Sequence, residues 1–356
     1  MTQMTRPIES AGTIVAASSD TRLGARWGGL SLEWGLGQEG DLVLVQVVSE
    51  SGAYSEVESV DGMSISLRPG DRFIGVLGNR ESGKYLAGGV PPNGVPIASG
   101  TVLDLLTNGG IVGICASAPE YLGVPLQVRC LGLITKGGRR VSTLARLEGG
   151  DELSQSVPIV LVAATSTDVG KTTCATRMVS SFARAGYRVG AAKLSGTGCL
   201  EDIEALRAAG AHGAIDFPDV GLPSTYTSRE FYMRAIRHMV RELNGDDIDV
   251  IIGELGGDIV WANVPTLLKM PDFMRFVCGI VVIAGDAVAA IGTASLFSRW
   301  GVETPVHYVS SPFQNHYSVQ LRLEMYLGHG CFNPRNVVDM ERLAVELRQA
   351  AFGTSP

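Results

Sequence analysis

The sequence has little of what marks secreted, membrane or nucleic-acid-binding proteins. Its start, MTQMTRPIES, contains no apolar segment, so we expect no secretory signal. Its longest apolar stretch, 276–292, contains Asp286 and three glycines, which favours a buried strand, turn and helix over a membrane span. Acidic residues outnumber basic ones by 36 to 29, which argues against a general nucleic-acid-binding surface while allowing a local basic pocket for phosphates.

Metal-site and disulfide patterns are also missing. The six cysteines form no C-x-x-C pair and the five histidines show no ligand spacing, so we expect reduced thiols, no zinc site and a cytoplasmic protein. The remaining composition, 45% hydrophobic and 18% charged, permits substantial cores. A length of 356 residues suggests two domains, with a boundary in the polar, glycine-rich stretch 136–157.

The most informative stretch is 159–173, which reads IVLVAATSTDVGKTT. Five apolar residues predict a buried parallel strand, and the polar turn after them leads directly into a helical pattern. Backbone N–H groups at a strand end and a helix N-terminus together bind phosphate, Lys171 reaches the β/γ-phosphates and the Thr172 hydroxyl is suited to Mg²⁺. Thr165 replaces the first glycine of G-x-x-x-x-G-K-[ST]. The predicted nucleotide site consists of Thr165, Ser166, Thr167, Asp168, Val169, Gly170, Lys171, Thr172 and Thr173.

Residues 157–356 alternate between apolar β-type runs and helical segments, which predicts an α/β domain with a mostly parallel sheet and helices on both faces. Later strands are predicted at 187–193, 214–217, 249–253, 277–284 and 305–309, and one helix at 264–275. Ligands of such sheets bind beyond the carboxyl ends of the strands. Lys193 and Glu254 follow two of these strands, so we expect them near the phosphate loop.

Residues 1–150 instead show short β-type runs separated by Gly, Pro, Asn and Asp, which predicts a smaller β-rich barrel or sandwich of unknown role. The clearest runs are 41–50, 63–67, 72–77, 111–115 and 126–134, with a short helix at 101–107. A second G-x-x-x-x-G-K sequence lies at 78–84. Because LAGGVPPNG follows it and cannot form the required helix, we interpret it as a hairpin loop, in which Arg80 and Lys84 are candidates to contact an anionic ligand.

Three ordered segments resemble dethiobiotin synthetase. ATSTDVGKTT is similar to its G-T-D-T-x-V-G-K-T loop, AAKLSGTG to its K-P-V-x-S-G segment and IIGELGGD to its V-E-G-A-G-G segment. Leu194 stands where that family usually has proline, and the spacing between Glu254 and the glycines is one residue shorter. The resemblance covers about 157–312 and implies a P-loop enzyme that uses ATP and Mg²⁺. The synthetase lacks a counterpart of residues 1–150, so we do not expect biotin synthesis itself.

The resemblance also implies roles for single residues. Lys171 and Lys193 are the implied catalytic lysines, and Lys193 would stabilise the transferring phosphoryl group. The implied metal ligands are Thr172, Asp202 and Glu254, with Asp216 the next candidate and Glu201 and Glu204 near competitors of Asp202. The implied substrate-side residues are Ser195, Gly196, Pro223, Ser224 and Thr225. Asp258 is a substrate or structural candidate, and 310–312 would contact the base or ribose.

We therefore predict an enzyme that activates the carboxylate or carbamate of a small metabolite by phosphoryl transfer, as a ligase or cyclising synthetase. Two alternatives stay open. In related P-loop proteins a similar loop holds the phosphates of coenzyme A, which would make the chain a coenzyme A-dependent N-acyltransferase-like protein. A non-enzymatic ATP-binding switch or adaptor would use the β-rich domain to bind a partner. We expect a homodimer that binds neither nucleic acid nor membrane.

Overall fold

The computed structural model describes residues 6–7, 12–20, 29–147 and 150–353, which form two compact units. The first unit combines the described residues of Met1–Glu148 with two later segments, Thr197–Glu201 and Phe217–Phe231. The second unit combines those of Gly149–Gly196, Asp202–Asp216 and Tyr232–Pro356. After residue 150 the chain therefore leaves the second unit twice and returns to it twice.

The first unit is mostly β-structure. Its strands are β1 (Arg6–Pro7), β2 (Thr13–Val15), β3 (Leu30–Glu33), β4 (Gly35–Gly37), β5 (Leu42–Val47), β6 (Glu56–Glu58), β7 (Ser64–Ser66), β8 (Arg72–Leu77), β9 (Arg80–Glu81), β10 (Ala87–Gly89), β11 (Val95–Ile97), β12 (Val102–Leu105), β13 (Ile111–Ser117), β14 (Leu126–Lys136) and β15 (Arg139–Arg140). Its helices are α1 (Ala17–Asp20) and three 3₁₀ turns at Glu120–Leu122, Thr143–Arg146 and Phe217–Val220.

Five strands of this unit close on one another. β14 pairs with β5, β5 with β8, β8 with β13, β13 with β12, and β12 again with β14. Alternate side chains of all five strands meet in one buried core, which includes Val43, Val45, Phe73, Leu103, Leu105, Val112, Val128 and Cys130. The intervening residues of four of these strands, such as Leu42, Ile74, Ile111 and Ile134, belong to a second core. Burial on both faces explains why these strands read as continuous apolar runs. The barrel alternative for this region is therefore confirmed.

Two local predictions in this unit have opposite outcomes. The helix predicted at 101–107 is wrong, because β12 supplies the strand that closes the ring between β13 and β14. Its Leu103 and Leu105 point into the core with a period of two, while Asp104 accepts a hydrogen bond from the Cys115 N–H (2.8 Å). The hairpin interpretation of 78–84 is confirmed, because β9 and β10 pair across the loop that contains Lys84.

The second unit contains the parallel sheet. Its strands are β16 (Ile159–Ala164), β17 (Val189–Ser195), β18 (Gly213–Asp216), β19 (Val250–Leu255), β20 (Val277–Ala284) and β21 (Val306–Ser310). Its helices are α2 (Lys171–Arg184), α3 (Leu200–Ala208), which begins in the first unit, α4 (Arg229–Gly245), which also begins there, α5 (Val264–Leu267), α6 (Pro271–Met274), α7 (Ala287–Trp300), α8 (His316–Leu327) and α9 (Val337–Phe352).

All neighbouring strands of this sheet are parallel, in the order β18-β17-β19-β16-β20-β21. The chain moves from β16 towards β18 and then reverses towards β21. Because parallel crossovers are right-handed, this reversal places helices on both faces of the sheet, as predicted. It also leaves β16 and β19 beside each other at the centre, with the phosphate loop and Glu254 at their carboxyl ends.

The helix predicted at 264–275 is interrupted. α5 and α6 are separate four-residue helices, and Met270 between them has an extended conformation (φ −87°, ψ 103°). The ring of Pro271 clashes with a helical conformation of the residue before it, so a single helix is excluded at this point.

A buried ion pair fixes the segment that enters the second unit. Arg237 of α4 contacts both carboxylate oxygens of Asp272, at 2.9 and 3.3 Å. Asp272 also accepts a hydrogen bond from the Leu153 N–H (3.0 Å), and Arg237 donates to the Gly150 carbonyl (2.9 Å). Arg237 and Asp272 therefore form hydrogen bonds with each other and with the backbone of 150–153.

Candidate functional site

The loop 165–170 connects β16 to α2, in the strand–loop–helix order that the motif requires. Thr165, at the position of the missing glycine, accepts a hydrogen bond from the Gly285 N–H through its hydroxyl (2.8 Å). Its own N–H donates to the Ile283 carbonyl (3.1 Å). Thr165 therefore ties the start of the loop to the end of β20, which gives this departure from the motif a structural role.

The end of the loop is tightly constrained. Gly170 has φ +106°, and a Cβ atom there would lie 3.1 Å from Pro312 Cδ. Asp168 also has a left-handed backbone (φ 61°), which is uncommon for a residue other than glycine. Lys171 opens α2, is 7% exposed and donates to the Ser166 carbonyl (3.2 Å), so its side chain folds back over the loop. Burial lowers the pKa of Lys171, and the charges of Glu254 and Asp202 oppose that shift.

The ends of β17 and β19 are joined by reciprocal hydrogen bonds. The Ser195 hydroxyl donates to the Gly256 carbonyl (2.8 Å), and the Gly256 N–H donates to the Ser195 carbonyl (3.1 Å). A Cβ atom on Gly256 would lie 2.3 Å from that Ser195 carbonyl, so only glycine fits. Lys193 and Glu254 are paired in register on the same two strands. The junction therefore fixes a cation and a carboxylate side by side.

A hydroxyl lies between two carboxylates at the start of α2. Thr172 Oγ1 is 2.9 Å from Asp202 Oδ1 and 2.9 Å from Glu254 Oε1. One hydroxyl has one proton, so it can donate to only one of two ionised carboxylates. Glu254 is 1% exposed, and burial, reinforced by the charge of Asp202, raises its pKa to about 7. Its second oxygen, Oε2, is buried and has no hydrogen-bond partner within the described part of the chain.

Lys193 completes the cluster. Its Nζ lies 3.0 Å from Asp202 Oδ2, and its side chain is 4% exposed. This contact is the main reason that the pKa of Asp202 is held below its ordinary value, against the effect of burial. The predicted catalytic lysines and metal ligands thus lie in one cluster of the second unit: Lys171, Thr172, Lys193, Asp202 and Glu254.

These residues fit a magnesium ion. Mg²⁺ in nucleotide sites is usually held by one or two carboxylates, with phosphate oxygens and water completing the octahedron. Within residues 6–7, 12–20, 29–147 and 150–353 no group of three His, Cys, Asp or Glu side chains is arranged for a metal, so an all-protein cage is not available there. Two carboxylates that share a hydroxyl, one of them with an orphaned buried oxygen, provide the smaller ligand set that Mg²⁺ needs.

The other metal candidates lie in different surroundings. Asp216 lies on β18, is buried and is paired in register with Lys193 of the neighbouring strand β17. Glu204 contacts Arg207 on the exposed side of α3, and Glu201 is exposed. Asp258, predicted as a substrate or structural residue and not as a metal ligand, accepts a hydrogen bond from the Val260 N–H (2.9 Å).

The predicted substrate-side residues are divided between the two units. Ser195 and Gly196 belong to the second, whereas Pro223, Ser224 and Thr225 belong to the first. There the Ser224 hydroxyl donates to the Asn79 carbonyl (2.6 Å), and the Pro223 carbonyl accepts from the Gly198 N–H (3.2 Å).

The segment predicted to contact the base or ribose lies at the end of β21. Ser310 Oγ lies 3.1 Å from His316 Nδ1, and the Ser311 N–H donates to the Ala284 carbonyl (2.9 Å). A Cβ atom on Gly170 would lie 3.1 Å from Pro312 Cδ. The segment after β21 therefore leaves little room for any residue but glycine at the end of the loop 165–170, although β20 lies between β21 and β16 in the sheet.

Sequence reasoning named Thr165 and Ser195 but missed the hydrogen bonds by which they join the strand ends to Gly285 and Gly256. The Ser195–Gly256 junction and the Thr165–Gly285 contact are specified by glycines that directly follow strands. A glycine at a strand end signals close backbone approach, so this pattern was available in GELGGD and IAGD.

Where the chain is described, no helix combines the length and the apolar character that crossing a bilayer requires.

No protein-family model matches the chain, and no curated protein is significantly similar to it. Several solved structures overlap part of it. The signal recognition particle receptor FtsY from Elizabethkingia anophelis is 12% identical over 57% of this chain and 70% of its own, with a TM-score of 0.38. The 54 kDa signal recognition particle protein from Aeropyrum pernix K1, solved in complex with GDP, is 19% identical over 58% and 52%, with a TM-score of 0.34. A ParA family ATPase from Chlorobium tepidum TLS is 13% identical over 54% and 91%, with a TM-score of 0.33. Overlaps of this extent do not identify a ligand or a reaction for this chain.

Proposed function

We propose that this chain binds a nucleoside triphosphate with Mg²⁺ at the loop 165–170 and transfers the γ-phosphoryl group to a carboxylate or carbamate of a small metabolite. The observation that carries the proposal is the position of the Thr172 hydroxyl between the carboxylates of Asp202 and Glu254. The charge of Asp202 contributes to the raised pKa of Glu254, and a divalent cation held by these groups would favour the ionised form of both carboxylates.

Each residue of the cluster has a distinct task in this proposal. Lys171 and the N–H groups of the loop hold the β- and γ-phosphates at the positive end of α2. Thr172, Asp202 and Glu254 hold Mg²⁺, which neutralises charge on the phosphates when it is bound. Lys193 stabilises the charge on the phosphoryl group as it moves to its acceptor.

The proposed reaction has two steps. A carboxylate oxygen attacks the γ-phosphorus while the bond to the β-bridging oxygen breaks, so ADP leaves and a mixed phosphoric anhydride forms. An amine then attacks the acyl carbon, the bond from that carbon to the phosphate oxygen breaks, and inorganic phosphate leaves and takes up the proton that the amine loses. Lys193 is suited to the first step because it is buried and comes from the end of β17, which β19 separates from β16, whereas Lys171 folds over the loop itself.

The test runs two assays with the same library of carboxylates and amines. One supplies ATP and Mg²⁺ and measures ADP, and the other supplies acyl-coenzyme A and measures free thiol. Lys193→Ala should lower metabolite-stimulated ADP release by about 10²-fold while ATP affinity changes little, because the lysine acts mainly in the transition state. Lys269→Ala, an exposed lysine of the same unit, is the matched control and should behave as the wild type.

Two outcomes would overturn the proposal. Thiol release from acyl-coenzyme A without ADP would identify the acyltransferase alternative. Tight ATP binding with no metabolite that stimulates ADP release, and no effect of Lys193→Ala on basal hydrolysis, would identify the switch or adaptor.

A further inference from the structure

The short segment between Lys193 and Asp202 belongs to the first unit. The chain leaves β17 at Ser195, passes through Thr197–Glu201 in the first unit, and continues in the second unit from Asp202. Helix α3 spans this change, because it begins at Leu200 and contains Asp202 in its first turn. Asp202 therefore follows the start of α3 by two residues.

Gly198 is enclosed by residues of the first unit. The Ser18 hydroxyl donates to the Gly198 carbonyl (2.5 Å). A Cβ atom on Gly109 would lie 1.7 Å from that carbonyl oxygen, and a Cβ on Gly198 would lie 2.7 Å from Pro218 Cγ. Both positions accept only glycine, so the backbone before α3 has little freedom to move.

Glu58 fixes the first residue of the helix. Its Oε2 accepts a hydrogen bond from the Leu200 N–H (2.8 Å). That N–H is one of the four at a helix start that lack an intrahelical partner, and a carboxylate is electrostatically favourable there. Glu58 is itself anchored, because its N–H donates to the Asn108 carbonyl (2.8 Å) and the preceding Val57 is fully buried.

We propose that Glu58 is a positioning residue for Asp202: by bonding the Leu200 N–H, it sets where α3 begins and so holds the Asp202 carboxylate at Thr172 and Lys193. The proposal rests on the proposed function of Asp202 as a Mg²⁺ ligand. Without Glu58 the first turn of α3 frays, and the carboxylate loses its fixed position.

The test compares Glu58→Ala, Glu58→Gln and Glu56→Ala in the full chain. Glu56 lies on the same strand, two residues earlier, and contacts the exposed Ser64, so it is a matched control. Amide hydrogen exchange of 200–204 reports the start of α3, and ATP titrations in EDTA and in a series of Mg²⁺ concentrations report the metal site.

Glu58→Ala should increase exchange at 200–204 and weaken the apparent Mg²⁺ affinity about 3- to 10-fold, the scale of losing one helix cap. ATP affinity in EDTA should stay unchanged, because Glu58 does not contact the phosphate loop. Glu58→Gln retains an acceptor oxygen and should recover most of both effects. Glu56→Ala should match the wild type in every measurement.

A cycle with Asp202→Ala isolates the coupling. If Glu58 acts through Asp202, Glu58→Ala should have no further effect on Mg²⁺ dependence in the Asp202→Ala background. Additive effects, or an unchanged Mg²⁺ dependence in Glu58→Ala, would overturn the proposal. If the wild type shows no Mg²⁺-dependent ATP binding, the proposed function fails, and unchanged exchange at 200–204 in Glu58→Ala would separately refute the positioning role.

Discussion

Buried charges have different surroundings in different parts of this molecule. In the first unit, Arg80 donates to the Leu106 carbonyl (2.7 Å), and its guanidinium carbon lies 5.1 Å and 5.0 Å from the ring centroids of Tyr54 and Tyr85. In the second unit, Arg237 and Asp272 satisfy each other with two hydrogen bonds. The Arg237–Asp272 pair is therefore complete within the protein, as stable polar cores require, whereas the buried Nε of Arg80 has no hydrogen-bond partner among the described residues.

The cluster around Thr172 differs from the Arg237–Asp272 pair because it is incomplete. The Thr172 hydroxyl lies between the carboxylates of Asp202 and Glu254, and Glu254 has a buried oxygen without a partner among the described residues. Lys171 and Lys193 belong to the same cluster. Such a cluster costs stability unless a further ligand joins it. The comparison teaches that incompleteness at strand ends, rather than burial of charge alone, distinguishes the candidate site from structural ion pairs.

The largest expected effect is on ligand binding at the incomplete cluster. Lys171→Ala should weaken ATP binding about 100-fold, the scale of a lost charge-assisted phosphate contact, and leave the fold intact. Isothermal titration measures the affinity and circular dichroism the fold. Arg177→Ala, which removes an exposed cation from the same helix, should bind ATP as the wild type does. Equal affinities for Lys171→Ala and Arg177→Ala would remove the phosphate-loop assignment.

A change in the complete pair of the same unit should affect folding instead. Asp272→Asn removes the charge that Arg237 faces and should lower the free energy of unfolding by about 2 kcal/mol. ATP affinity should be retained, since Asp272 is not part of the cluster. Urea unfolding measures the change, with the exposed Asp246→Asn as control. A stable Asp272→Asn protein with weakened ATP binding would contradict the distinction between the two kinds of cluster.

A smaller loss of stability is expected in the first unit. Arg80→Met keeps most of the aliphatic packing and removes the hydrogen bond to Leu106 and the contacts with two rings, at a cost of about 1 to 2 kcal/mol. ATP and Mg²⁺ binding should be unchanged. Urea unfolding of Arg80→Met and wild type measures the change in the free energy of unfolding. If ATP affinity falls while stability does not, Arg80 contacts the ligand rather than the protein.

The smallest expected effect is the pH dependence of the Arg237–Asp272 pair. Burial alone would raise the pKa of Asp272, but hydrogen bonds from Arg237 and the Leu153 N–H hold it below its ordinary value of 3.8. A carboxyl with a lowered pKa stabilises the fold above its unfolded pKa and loses that contribution as pH falls through its folded pKa. The difference in unfolding free energy between wild type and Asp272→Asn should therefore be constant from about pH 7 to 5 and shrink below about pH 4. A difference that grows towards low pH would show that the charge does not stabilise this pair.

Much of the fold was available in the sequence. Strands β16 to β21 match the predicted runs to within a few residues, since buried parallel strands are continuous apolar segments between turn residues. Short strands of the first unit were also located, but β12 was mistaken for a helix. A four-residue strand has no periodicity long enough to decide, and its state was set by pairing with two neighbours.

Some residues of the candidate site could likewise be predicted from the sequence, and others depended on the tertiary structure. The sequence by itself determined Lys171 and Thr172, because the strand–loop–helix order fixes their direction locally, and it proposed Lys193 and Glu254 because parallel strands end at one edge. Only the tertiary structure decided that Asp202 rather than Glu204 contacts Thr172. Asp202 lies in the first turn of α3, and the Leu200 N–H at the start of that helix donates to Glu58, more than a hundred residues earlier. A hydrogen bond between residues so distant in sequence leaves no local pattern, so no reading of the α3 segment alone could have found it.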